Sequence, residues 1–140
     1  MTYTHTVTVP LSWSKAVERT REALAAQGFG ILSEINVRAT FEAKLGSDAA
    51  EAVGDYVILG ACNPALASRA LAAEPDLGAL LPCNVVVRRG RDADRTTVQA
   101  IDPQTMVQLS GSAAVQEVAD DADTRLRAAL AALEAESGLD

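Results

Sequence analysis

Residues 55–89, DYVILGACNPALASRALAAEPDLGALLPCNVVVRR, decide the fold. An apolar run, Tyr56-Val57-Ile58-Leu59, enters the stretch and Val85-Val86-Val87 leaves it. Both cysteines of the chain lie inside, each followed by asparagine: Cys62-Asn63 precedes Pro64, and Cys83-Asn84 follows Pro82. Asn63-Pro64 has the form of a helix N-cap with proline at the first helical position. Ala65, Leu66, Ala67, Ala70, Leu71 and Ala72 then read as a short helix, which Pro75 ends, leaving DLGALL as an irregular turn. Cys62 thus closes one strand and Cys83 opens the next. Parallel pairing of those strands would hold the cysteines about 20 Å apart, a strand length. Antiparallel pairing brings them to one end of a sheet.

Working outward, residues 3–9 alternate, with His5, Val7 and Val9 on one face of a half-buried strand. Ser12 caps a helix carrying Trp13, Val17, Thr20 and Leu24, and Gly28 ends it in a left-handed turn with Phe29 as the apolar contact behind. In the next strand the alternation puts Phe29, Ile31, Ile35 and Val37 on one face and Leu32 and Glu34 on the other. Phe41 and Leu45 mark a short helix closed by Gly46, and residues 47–54, SDAAEAVG, read as a mobile connection. Strands at about 83–89 and 95–101 form a hairpin around Gly90-Arg91-Asp92-Ala93-Asp94. Asp102-Pro103 opens a short helix with Met106, Val107 and Leu109. A long helix over 113–135 then carries Val115, Val118, Ala122, Leu126, Ala129, Leu130 and Leu133 on one stripe. Without a linker, repeat or low-complexity segment, residues 1–140 read as one domain. The expected architecture is α/β (α+β): a two-layer sandwich with a five-stranded mixed or antiparallel sheet packed against helices.

The chain has 140 residues, with 19 acidic side chains against 12 basic ones and a formal charge of −7. That balance disfavours nucleic acid as a partner. No basic start followed by an apolar core suggests a signal peptide, and no apolar run reaches the ~20 residues that span a bilayer, so a cytoplasmic protein without membrane contact is expected. There, two cysteines are free thiols rather than a disulfide. Their spacing, with His5 the sole histidine, matches no structural zinc pattern, and no cofactor motif is present. Arg88, Arg89, Arg91 and Arg95 cluster at the hairpin, but interleaved aspartates make this a charged turn rather than a phosphate site.

Four segments, GFGILSEINVRATFEAKLG (28–46), YVILGACNPALASRAL (56–71), LLPCNVVV (80–87) and AIDPQTM (100–106), resemble the "domain of unknown function 302" family. The match runs through nearly the whole chain in order. It implies a small α/β domain that forms a homodimer, with no established activity. Asn36 departs from the family pattern, standing where an acid is more usual.

The candidate ligand-binding residues are Cys62, Asn63, Cys83 and Asn84, lining one pocket, with Glu34 nearby as a carboxylate aimed beneath the helices. Cys62 also stands beside the unpaired N–H groups of the following helix, electropositive surroundings in which cysteines react. Such a pocket suits a thiol-reactive ligand or a soft metal and not a phosphate. No residue pattern names a reaction, a cofactor or catalytic residues. Two readings stand: a small-molecule or thiol-dependent binding module, and a non-catalytic dimeric interaction protein whose cysteines are small buried hydrophobes.

Overall fold

A computed structural model describes residues 2–137; Met1 and residues 138–140, the outer ends of the expected domain, lie outside it. The strands are β1 (Thr4–Val9), β2 (Gly30–Asn36), β3 (Asp55–Cys62), β4 (Cys83–Arg89) and β5 (Thr96–Ile101). The helices are α1 (Trp13–Ala26), α2 (Val37–Leu45), α3 (Ser47–Val53), α4 (Pro64–Ala73), α5 (Gln104–Ser110) and α6 (Ala113–Ser137), with a 3-10 helix at Pro75–Leu80. The sheet runs in the order β1-β5-β4-β3-β2 and every neighbouring pair is antiparallel. Of the two expected sheet types, the antiparallel one is realised. No described helix is long and apolar enough to cross a membrane.

The period-2 pattern of β3, β4 and β5 sorts residues between two faces. Val57, Leu59, Ala61, Val85, Val87, Val98 and Ala100 are buried together with Leu24 of α1 and Leu126, Ala129, Leu130 and Leu133 of α6. All seven stripe residues named for the long helix are buried, so its apolar face is the one turned to the protein. The N-terminal half of that stripe, Val115, Val118 and Ala122, joins Leu66, Ala70, Leu77 and Met106 in a second cluster.

Local signals set the helix ends. Ser12 Oγ accepts the Lys15 N–H at the start of α1. At its end, Phe29 N–H bonds Leu24 O and Gly28 N–H bonds Ala25 O, each at 3.0 Å, the paired bonds of a Schellman motif. Gly28 has φ +86°, and a Cβ there would stand 3.0 Å from Asn63 Nδ2, so the position excludes side chains twice over.

Three expectations are corrected. Residues 47–54 hold a helix rather than a mobile loop, because Ala50 is buried beneath it and Asp48 occupies its first turn. The DLGALL turn belongs to the 3-10 helix. The face assignment in β2 fails at a bulge: Ile31 pairs with Ala61 but Ser33 pairs with Gly60, leaving Leu32 as the extra residue. Beyond it the phase inverts. Glu34 therefore opposes buried Leu59 on the helix side, and Ile35 opposes Ile58 on the other.

Thr20 is buried in the core with its Oγ1 unpartnered. Replacing it with valine removes a desolvated hydroxyl, so Thr20→Val should raise stability by about 1 kcal/mol in chemical denaturation. Leu126→Asp should lower it by about 4 kcal/mol or more, since a carboxylate at a position with no solvent exposure has no partner. A Thr20→Val variant weaker than wild type, or near-wild-type melting of Leu126→Asp, would contradict this account of the core.

Candidate functional site

Register places the two cysteine segments together. Ala61 pairs with Cys83 and Gly60 with Asn84, so Cys62 lies one residue beyond the partner of Cys83, at the same end of the sheet. Residues paired across strands share a face. Cys83 therefore sits with Ala61 under the helices and is 7% exposed. Asn84 sits with Gly60 on the opposite face, where it borders Tyr56, Val86 and Gln99.

Between the two core clusters lies a cavity of about 280 Å³. Its walls are Phe29, the bulged Leu32, Leu66, Ala67, Ala70 and Leu71 of α4, Leu81 and Pro82, Met106 of α5, and Val118 and Ala122 of α6. Ala61, Cys62, Asn63 and Cys83 complete the lining, while Asn84 and Glu34 are not part of it. Glu34 is 51% exposed and its carboxylate meets the Arg21 guanidinium at 2.8 Å, an ion pair at the sheet edge rather than an acid beneath the helices. Pairs this exposed contribute at most about 1 kcal/mol.

Asn63 caps α4 by accepting the Leu66 N–H at its Oδ1. Its amide nitrogen lies against Gly28, near the Arg125 guanidinium that donates to Gln27 O at 3.0 Å. One asparagine thus joins the start of α4 to the end of α1. Asn36, the departure from the family pattern, has a comparable role: its Oδ1 accepts the Ala39 N–H at the start of α2. Gly60 is needed where β3 passes the Leu81–Pro82 turn, since a Cβ there would stand 2.9 Å from Pro82 Cγ and collide with Ser33.

Leu32, Phe29, Val118, Ala122 and Met106 are lining residues that sequence reasoning did not assign to a site. The adjacent apolar pair Ile31-Leu32, which breaks the alternation, was the one sequence sign that a residue leaves the strand. For Met106 there was none, because its helical spacing reads equally well as core.

Other polar groups are tied off elsewhere. His5 Nε2 contacts Asp123 Oδ1 at 2.6 Å and Asp102 Oδ1 at 3.7 Å. Asp123 also accepts from Arg127 Nε, and Asp102 accepts the Gln104 N–H. These bonds knit β1 to the start of α5 and to α6 through side chains that do not line the cysteine cavity. At the hairpin, Arg88 donates to Gln99 Oε1, Arg89 to Leu11 O and Arg95 to Thr8 O.

Burial, reinforced by the neighbouring Cys62, pushes the Cys83 thiol up to about 11 from an ordinary value of 9.0. The folded state holds this proton more tightly than the unfolded chain, so its contribution is complete below pH 9 and is lost as pH rises toward 11. The loss amounts to about 2–3 kcal/mol. Denaturation at pH 8 and pH 11 should show this decrement in the wild type and not in Cys83→Ala; equal slopes in the two would refute it.

The "Domain of unknown function DUF302" profile matches residues 5–133. Among curated proteins none matches the chain. The crystal structure of an uncharacterized conserved DUF302 protein from Bacillus stearothermophilus is similar, with 29% identity and a TM-score of 0.81. The likeness covers 93% of this chain and 97% of that one. With a profile match across the sheet, both cysteine segments and most of α6, the chain belongs to the DUF302 family.

Proposed function

We propose that the protein is a small-molecule binding module whose ligand enters the cavity between α4, the Leu81–Pro82 turn and α6. One observation carries this reading: the two cysteine segments, 21 residues apart in sequence, line a single cavity of about 280 Å³ with apolar walls. That is near the lower limit of ligand-sized pockets, about 300 Å³. The cavity lies at a seam between two core clusters rather than inside either, so a ligand can be admitted without opening a packed core. Binding is favoured over turnover because the lining, among the described residues, has no carboxylate or imidazole to move a proton. Asn63 is occupied as a cap, which leaves Cys62, partly exposed, as the reactive group facing a guest.

Ala67 faces the cavity from α4, so Ala67→Phe should fill it. The apolar dye N-phenyl-1-naphthylamine should fluoresce with the wild type and lose that signal with Ala67→Phe, while both proteins melt alike. Iodoacetamide should modify Cys62 at least about tenfold faster than Cys83, and the dye should slow that reaction. Equal dye signals in the two proteins would remove the cavity as the site.

A second reading, a homodimeric interaction protein, is supported by the sheet face away from Leu59 and Val85. There Ile35, Ile58 and Val86 pair in one row across β2, β3 and β4, and Ile35 is 50% exposed. The row continues to Gln99 and Thr6 without an acidic group, so two copies of a chain with charge −7 can meet there without facing carboxylates. Light scattering at micromolar concentration should return a dimer for the wild type and a folded monomer for Ile35→Lys. A wild-type monomer would exclude this reading.

A further inference from the structure

Three sulfur-bearing residues line the cavity. Cys62 and Cys83 come from adjacent strands, and Met106 reaches the same space from α5, on the far side of the hairpin. The remaining lining is hydrocarbon apart from the Asn63 amide, whose oxygen already accepts the Leu66 N–H. A hard cation would find no carboxylate or water-like ligand set there. Two thiols and a thioether in an apolar, partly closed space form a donor set that selects for softness.

We infer that Cys62, Cys83 and Met106 form a binding site for a soft monovalent metal ion, copper(I). The inference rests on the cavity reading above and names a ligand class for it. Register brings the two cysteines to the same end of neighbouring strands, the partner of Cys83 being the residue just before Cys62, and both residues line this cavity. Binding forms two Cu–S bonds as two S–H bonds break, and both protons pass to solvent. Copper stays monovalent and neither sulfur is oxidised, so no oxidant or reductant is consumed. Met106 adds a neutral third donor, leaving one net negative charge on the complex. Zinc(II) is not served by this set, since it takes four nitrogen, sulfur or oxygen ligands and the lining has no imidazole or carboxylate.

The test presents copper(I) to the full-length chain under argon as its bathocuproine disulfonate complex. The wild type should withdraw one copper per chain, release two protons and develop a thiolate-to-copper absorbance band. Cys62→Ser and Cys83→Ser should each lower the affinity about a hundredfold or more, through loss of a ligating thiolate. Met106→Leu conserves volume and should fold normally while weakening binding about tenfold. If Cys83→Ser fails to fold, Cys62→Ser and Met106→Leu carry the test. No copper uptake, unchanged affinity in Met106→Leu, or zinc(II) withdrawn as readily as copper(I) would overturn the site. The dye separates this outcome from the cavity itself. Dye binding without copper uptake overturns the inference and leaves the cavity reading in place; failure of both removes both.

Discussion

The antiparallel ladder between β3 and β4 is the constraint on which the rest depends. Its register, from Asp55 opposite Arg89 to Ala61 opposite Cys83, sets every neighbouring relation in the centre of the sheet. Backbone hydrogen bonds fix that register, and a slip of one residue would turn either Val57 and Leu59 or Val85 and Val87 from the core to the other face. Because four buried aliphatic side chains depend on it, the pairing is strongly specified. The same ladder brings Cys62 and Cys83 to one end of the sheet and sends Asn84 to the opposite face. Two identical Cys-Asn dipeptides thereby acquire different environments.

The connection between these strands shapes the cavity. Leaving β3, the chain needs a cap for the exposed N–H groups of α4, and Asn63 supplies it while its amide rests on the glycine that ends α1. The 3-10 helix and the Leu81–Pro82 segment bring the chain back to β4. The 25 residues of α6 span both clusters, with Leu126 and Leu133 in one and Val115 and Val118 in the other. The space left between them holds the cysteines and Met106.

Charge has little part in the cavity, although the chain is acidic. Asp121 and Asp123 of α6 are engaged with Arg125, Arg127 and His5, and Glu34 is engaged with Arg21. This separation leaves an apolar site in a protein of charge −7, in which sulfur is the most polarisable atom available.

Much of this architecture was legible in the residues themselves. The Ser12 and Asn63 caps, the Gly28 stop, the hairpin and the α6 stripe rest on interactions within a few positions of one another, so local physics determined them. The proximity of Cys62 and Cys83 was legible only as one of two alternatives, because strand direction depends on pairing between distant segments. Three features were settled by tertiary structure alone. The bulge at Leu32 moved Glu34 and Ile35 to faces opposite those their alternation implied, because one extra residue inverts a period-2 pattern. Ala50 turned the polar 47–54 segment into a helix by giving it something to pack against. Met106 became a cavity residue because α4 and α5 both pack on α6, an arrangement of distant helices that no local pattern encodes.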